Sequence, residues 1–274
     1  MNNKKVALLL TVYKNDTYQD FVEAINSIYN QTYSDIDIFI QEDGPVEKKI
    51  HSFLMKELEG KRIFYLGLRK KNKGFDYSLN ELLEKAFMSN YQYIARMDAD
   101  DVSTPNRIKN QIQFMNKNPN VDVCGTDIEE FGSDMIYSKI VRYPHDHESL
   151  YNFFSKRVPI AHVTSFFRKS FFEKAGLYET KGHINNGDTL LWMKGFKSNC
   201  IFANLNFIGV KVRVNKNFFS RRTGFKKAYC DLRNRLEVIK NLDYSPTAYF
   251  YAILIFCVNL APSNIKKFLY LRLR

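Results

Sequence analysis

The sequence predicts an α/β fold: a mixed, mainly parallel sheet flanked by helices and followed by a helical C-terminal segment. Three observations predict it. Short apolar runs alternate with helix-periodic stretches over the first 130 residues, and strands buried on both faces imply parallel βαβ units. After residue 130 the alternation loosens, which fits a mixed extension of the same sheet better than a second βαβ set. Near residue 215 the chain turns basic, and an aromatic, apolar stretch follows. The expected division is a domain over 1–215, with halves 1–130 and 131–215, and a basic amphipathic segment over 216–274.

The elements follow in chain order. Val6, Ala7, Leu8, Leu9 and Leu10 form a short, fully apolar run that reads as a buried strand. Asn15, Asp16 or Thr17 offers an N-cap for a helix carrying Phe21, Val22, Ile25, Ile28 and Tyr29 on one face. Residues 36–40 read as a second strand ending in the turn signal Gln41-Glu42-Asp43-Gly44-Pro45. A helix over 47–58, a third strand over 63–66, a helix over 77–88 and a fourth strand over 91–97 come next. Leu79, Leu82, Leu83 and Ala86 are spaced for one helical face, and Pro105 suits the first position of the following helix. Further on, 135–142 reads as a strand, 148–154 as a short helix, 189–196 as a helix, and 201–214 as strand-rich.

Composition narrows the function. The chain has 274 residues, 45% hydrophobic and 15% aromatic, enough for a sizeable core and unlike a disordered chain. The net charge is +12, yet residues 211–274 hold 14 Lys/Arg against 3 Asp/Glu, so the rest is close to neutral. Cys124, Cys200, Cys230 and Cys257 form no CxxC pair, which argues against a zinc site or disulfide framework and for a reducing compartment. The first residues run into a strand without the pattern of a signal peptide, so a cytoplasmic location is expected.

The densest chemistry is Asp98-Ala99-Asp100-Asp101 at the end of the fourth strand. Carboxylates this close raise one another's pKa, and a hard divalent cation such as Mg²⁺ or Mn²⁺, shared with substrate phosphates, resolves the repulsion. The alternative is a solvated acidic turn capping the helix near Pro105. Topology weighs on the choice. Ligands bind outside the carboxyl ends of strands in open α/β sheets, where Thr11 to Tyr13, Asp43-Gly44 and the acidic cluster are all expected to converge.

Taken in order, Leu9 to Tyr13, Gln41 to Gly44, Asn72-Lys73-Gly74 with Leu79-Asn80, Met97 to Asp101, Pro105-Asn106-Arg107 and Val123 to Thr126 resemble the motifs of family 2 glycosyltransferases. That family has the GT-A (Rossmann-like) fold, and the resemblance is to its non-processive bacterial members that build O-antigen, capsule or exopolysaccharide. His162 to Arg168, Gly176 to Tyr178 and Asp188 to Trp192 continue it, so it covers residues 6 to about 200. The resemblance implies transfer of a hexose or N-acetylhexosamine from a nucleoside-diphosphate sugar to an acceptor hydroxyl, with inversion. It implies that Thr11, Tyr13 and Asp43 hold the nucleoside, usually uridine. Asp98 would lie near ribose and metal, Asp100 would ligate Mn²⁺ or Mg²⁺, and Asp188 would be the general base. The chemistry suits these residue types: a cation offsets the charge growing on the departing diphosphate, and a carboxylate takes the proton of the attacking hydroxyl. The chain departs from the family before the base, where Gly187 stands in place of the usual Glu. The Gln-x-x-Arg-Trp motif of processive members is absent after residue 200, which argues against a cellulose- or hyaluronan-type polymerase.

Weaker signals have two readings each. His162 is a candidate metal or phosphate contact, or a hydrogen-bonded structural residue. Lys73 is a candidate for the uracil or a phosphate, or a solvated loop lysine. Arg221 and Arg222 are phosphate candidates, or part of a basic loop. Asp188 is also placed to cap the helix that follows. The apolar run 248–260 is short of the about 20 residues a bilayer span needs. With Lys266, Lys267, Arg272 and Arg274 beside aromatics, the tail reads as a helix lying on an anionic membrane surface; the alternative is a helix packed on the domain. A polyprenyl-diphosphate-linked acceptor would account for both the anchor and the charge. The rivals are a sugar nucleotidyltransferase, which would want a glycine-rich loop where Thr11 to Asp16 stand, and a basic nucleic-acid-binding protein, whose partner the strand-end acids would repel.

Overall fold

The computed structural model of the chain describes residues 5–132, 138–180, 187–214 and 224–261. The first half alternates as expected: β1 (Val6–Val12), α1 (Tyr18–Tyr29), β2 (Ile36–Glu42), α2 (Lys48–Glu59), β3 (Tyr65–Leu68), α3 (Phe75–Met88) and β4 (Tyr93–Met97). There follow β5 (Val102–Ser103), α4 (Arg107–Lys117), β6 (Val123–Phe131), β7 (Lys139–Val141), α5 (His147–Phe154), a 3₁₀ turn (His162–Thr164), β8 (Phe166–Arg168) and α6 (Lys169–Ala175). The remainder is α7 (Gly187–Lys197), β9 (Phe202–Arg213), α8 (Phe225–Asn241) and α9 (Pro246–Leu260).

The strands form one sheet in the order β3-β2-β1-β4-β8-β6-β9-β5, with β7 paired to β6. β1, β2, β3 and β4 are mutually parallel; β8 runs antiparallel to β4 and β6, and β9 runs parallel to β6. Leu10 pairs with Ile40 on one side and Met97 on the other. β1 and β2 finish level at Val12 and Glu42 and β4 finishes two residues short of them, opposite Leu10, so the residues just beyond all three share one edge.

The apolar run of β1 is explained by burial on both faces. Val6, Leu8, Leu10 and Val12 join a core with Phe21 and Ile25 of α1, Leu54 of α2 and Ile108 of α4. Ala7 and Leu9, pointing the other way, join a second core with Leu79 and Leu83 of α3, Phe171 of α6 and Trp192 of α7. Val238 of α8 packs into this second core, and Ile239 meets Ala248 and Ala252 of α9. The two C-terminal helices are thus docked on the domain. The outer face of α9 stays exposed at Phe250 (67%) and Ile253 (56%). Among the described residues no helix is long and apolar enough to cross a membrane.

Several boundaries differ from the sequence reading. Thr17 is the N-cap of α1, accepting the Asp20 N–H at 3.2 Å. The third strand is 65–68, two residues later than predicted: Ile63 is core, but the ladder with β2 begins at Tyr65. Pro105 lies in a turn before α4, which starts at Arg107. The Thr104 N–H is tied to the Gly209 carbonyl (2.9 Å) and the Pro105 carbonyl accepts the Thr32 N–H (2.9 Å), so the chain turns before it can coil. Of the strand expected over 135–142, the described part is β7; residues 133–137 lie outside the described residues.

Core packing makes one expectation quantitative. Leu8 is fully buried, and Leu8→Ala should cost about 2–5 kcal/mol, read as a lower urea midpoint at unchanged slope. A midpoint within error of the wild type would contradict the two-faced core.

Candidate active site

The acidic loop is built by three strands. β4 delivers Asp98, Asp100 and Asp101 at its carboxyl end, and their carboxylate oxygens lie within 4.8 Å of one another. β5 turns back immediately and pairs with β9, Val102 opposite Lys211 and Ser103 opposite Val210. Arg213, ending β9, locks the loop: its N–H donates to Asp101 Oδ1 (2.8 Å) and its Nε to the Asp100 carbonyl (2.9 Å). The same guanidinium pairs with Asp20 (3.1 Å) and Glu23 of α1. Asp101 is buried, and burial together with Asp98 and Asp100 pushes its carboxyl well above the usual range. Three hard oxygen donors in mutual repulsion fit an Mg²⁺- or Mn²⁺-type cation. Asp98 and Asp100, the less buried pair, would face it, and Asp101 would support the loop.

Arg96 supplies positive charge beneath. It lies in β4, is 5% exposed, pairs with Asp98 and sits 4.8 Å from the Phe75 ring. Below it, the fully buried Arg107 donates from Nη2 to the Arg96 carbonyl (2.7 Å), and burial with the adjacent Arg96 charge pushes Arg107 down to about 9.

At the other end of the edge, the Asp43 carboxylate is encircled. Oδ1 accepts Arg69 and the Lys73 N–H (2.8 Å); Oδ2 accepts Asn72 Nδ2 (2.8 Å) and the Gly74 N–H (3.0 Å). Gly44 permits the fit: with φ +83 and Asn72 N only 2.7 Å from where a β-carbon would stand, a side chain would be strained and would clash. Asp43 therefore shapes the 69–74 loop, and a nucleoside contact at Asp43 would require one of these donors to move. The Lys73 ammonium lies over the Tyr77 ring at 4.5 Å. Thr11 and Tyr13 are half-buried at the end of β1, and the Tyr13 N–H donates to Asp16 Oδ2 (2.8 Å).

Asp188 stands in the first turn of α7, inside the helix and not at its cap, with Oδ1 accepting the Thr189 N–H at 2.8 Å. Burial raises its pKa, while the Thr189 N–H, Arg96 and Lys227 oppose the rise. A cavity of about 200 Å³ opens from Asp188 between α7, α8 and α9, with Asp231, Arg235, Phe256 and Asn259 on its walls. His162 is not drawn into the acidic cluster, which among the described residues consists of the three aspartates. Its Nε2 meets the Tyr178 hydroxyl at 2.7 Å among the rings of Phe75, Tyr178 and Trp192, and burial and the nearby Arg96 charge hold it well below the usual histidine range. Arg221 and Arg222 lie outside the described residues.

Sequence reasoning missed Arg96, Arg213 and Asp76. An arginine inside a strand buried at all five positions was the available signal for Arg96. Arg213 lies 112 residues from Asp101 and carries no local signal. Asp76, at the start of α3, faces both Asp188 and Arg96, and burial and the Asp188 charge push it up to about 7.

The family model described as glycosyl transferase family 2 matches residues 8–176. The chain belongs to that family. An uncharacterized glycosyltransferase of Haemophilus influenzae is 30% identical over 270 residues, covering 97% of each chain. The amylovoran biosynthesis glycosyltransferase AmsE of Erwinia amylovora is 26% identical, covering 96% of this chain and 97% of its own. The UDP-Gal:α-D-GlcNAc-diphosphoundecaprenol β-1,3-galactosyltransferase of Escherichia coli is 25% identical, covering 97% of this chain and 95% of its own. Solved structures share the fold. Staphylococcus aureus TarS 1–349 with UDP-GlcNAc has TM-score 0.60 at 13% identity, over 96% of this chain and 83% of that one. A Pyrobaculum calidifontis mannosyltransferase with GDP-Man and Mn²⁺ has TM-score 0.61 at 14%, over 97% of this chain and 79% of that one. The expectations of a GT-A fold and of family 2 membership hold for this glycosyltransferase.

The raised Asp76 carboxyl has a thermodynamic consequence. Its folded pKa, about 7, exceeds the ordinary 3.8. The folded state thus binds the proton more tightly, and stability from this group is lost as pH rises through that window. The stability advantage of Asp76→Asn over wild type, from metal-free urea melts, should grow between pH 4 and 7 and level off above. A constant difference across that range would mean the carboxyl does not titrate there.

Proposed function

We propose that this glycosyltransferase is an inverting enzyme of bacterial surface-polysaccharide synthesis. It would move a hexose or N-acetylhexosamine from a UDP-sugar to a hydroxyl of a glycan on a polyprenyl diphosphate. The observation that carries the reading is the gathering around Arg96 of the acidic loop and of Asp188, which lines a cavity. UDP as the donor nucleotide and a lipid diphosphate as the acceptor's carrier are supported by the wording of the Escherichia coli relative's name, and surface polysaccharide by that of AmsE.

Asp98 and Asp100 would hold the divalent cation, a role supported by their clustering and by the Mn²⁺ complex of the mannosyltransferase of like fold. When bound, that cation offsets the charge gathering on the departing diphosphate. Thr11, Tyr13 and the loop shaped by Asp43, including Lys73, would receive the nucleoside, with Asp98 near the ribose. Asp188 takes the proton from the acceptor hydroxyl as that oxygen attacks the anomeric carbon. The bond from that carbon to the diphosphate oxygen breaks, and the nucleoside diphosphate leaves with the electron pair. Burial raises the pKa of Asp188 and so strengthens it as a proton acceptor, while the Thr189 N–H and the Arg96 charge oppose the rise. Arg221, Arg222 and His162 remain candidates for phosphate or metal contacts.

The exposed apolar face of α9, together with Lys266, Lys267, Arg272 and Arg274 further along the sequence, would engage the cytoplasmic face of an anionic membrane and hold the enzyme beside a lipid-borne acceptor.

Two experiments test this reading. UDP-sugars are screened against lipid-diphosphate-linked monosaccharides with Mn²⁺, Mg²⁺ or EDTA. Transfer should appear with metal and vanish in EDTA, and Asp188→Asn should bind UDP normally while turnover falls by about 100-fold or more. Transfer at full rate in EDTA removes the metal role, and a fully active Asp188→Asn removes the base. In the second, sedimentation with phosphatidylglycerol vesicles should pull down the wild type and leave Phe250→Glu/Ile253→Glu in solution. Equal binding of the two would place the membrane contact elsewhere.

A further inference from the structure

Asp76 stands in the first turn of α3 with its side chain directed at the start of α7. A β-carbon built on Gly187 would lie 2.3 Å from Asp76 Cγ and from both its carboxylate oxygens. The Asp76 carboxyl thus fills the space that any side chain at 187 would need, and glycine is the residue that admits it. Two carboxyl groups from separate helices therefore adjoin consecutive backbone positions, Gly187 and Asp188. Among the described residues no hydrogen bond engages the Asp76 carboxyl. Burial and the Asp188 charge work against its ionisation, with Arg96 as the opposing cation. Asp76 is half-buried and its oxygens are not among the sealed, unpartnered atoms, so the carboxyl is within reach of a ligand. Carboxyl groups whose ionisation burial and a neighbouring charge oppose in this way collect at functional sites.

The neighbourhood restricts what would satisfy it. The group adjoins Asp188, which opens on the cavity between α7, α8 and α9. A sugar hydroxyl, both donor and acceptor, can bond a carboxyl in either protonation state. We propose that Asp76 contacts the acceptor. Its carboxyl binds a hydroxyl of the acceptor sugar neighbouring the one that Asp188 deprotonates, and so fixes which hydroxyl is presented to the base. The inference rests on the reading of Asp188 as the base facing the acceptor. Two carboxyl groups on adjacent hydroxyls define the orientation of a sugar ring, which one alone does not.

The steric relation with Gly187 provides the test, with the best donor and acceptor from the screen above. Asp76→Ala should lower kcat/KM for the acceptor by roughly 10- to 100-fold and leave the donor KM and UDP affinity within about twofold. Gly187→Glu alone should be inactive and melt lower, because the new side chain meets the Asp76 carboxyl. In Asp76→Ala/Gly187→Glu that space is free, the melting temperature should recover, and a carboxyl returns from the α7 side. Acceptor kcat/KM should then rise about tenfold or more over Asp76→Ala, with the same linkage in the product. Acceptor kinetics unchanged in Asp76→Ala, while the wild type transfers sugar and Asp188→Asn does not, would overturn the inference and leave the reading of Asp188 intact. A double variant that recovers its melting temperature without recovering acceptor kinetics would also overturn it, leaving Asp76 a packing residue. An enzyme whose Asp188→Asn variant is fully active would remove both.

Discussion

The buried guanidinium of Arg96 is the interaction on which the rest of the site depends. It pairs with Asp98 and, at longer range, opposes the rise that burial imposes on the carboxyl groups of Asp76, Asp101 and Asp188. Removing one partner of such a buried arrangement leaves an uncompensated charge, the costly case for buried ion pairs. The arginine is itself held by the fold: its carbonyl accepts Arg107, and its N–H donates to the Ser165 carbonyl at 3.1 Å. Its own burial therefore depends on the second core closing around β4 and β8, so packing and site electrostatics are inseparable here.

The two ends of the edge are organised differently. The 69–74 loop is wound around one carboxylate, Asp43, whose lone pairs are spent on internal donors. That end is shaped before any ligand arrives, which limits the ordering entropy that binding must overcome. The acidic loop is the reverse. Arg213 fastens the Asp101 carboxylate and the Asp100 carbonyl and Arg96 pairs with Asp98, yet the three carboxylates stay within 4.8 Å of one another. One end is preorganised and neutralised, and the other is preorganised and held under electrostatic tension.

Much of this architecture was legible in the chain. A strand buried on both faces must be apolar at every position, so β1 announced itself. Strand ends in a parallel sheet must share an edge, so topology alone brings Thr11, Asp43 and Asp98 to one side. The strands that were not anticipated had physical reasons to be silent. β5 has two residues and β8 three, too few for a period to show, and β8 follows directly on a 3₁₀ turn. Arg96 was hidden because patterning counts apolar positions and passes over the polar one among them. Asp76 carried no local signal, since its meaning comes from a glycine more than 100 residues later, whose lack of a side chain read at first only as a departure from the family.

The lock formed by Arg213 bears on how such enzymes can be recombined. This residue closes β9 and fastens the loop that would hold the sugar nucleotide. The helices that wall the cavity beside Asp188 come after it in the chain. The acidic loop is thus completed by a residue 112 positions after Asp101, just ahead of the C-terminal helices. A hybrid that exchanges those helices should take its crossover beyond residue 213. A junction placed earlier would import a foreign partner for Asp101 and unfasten the acidic loop while appearing to leave it untouched.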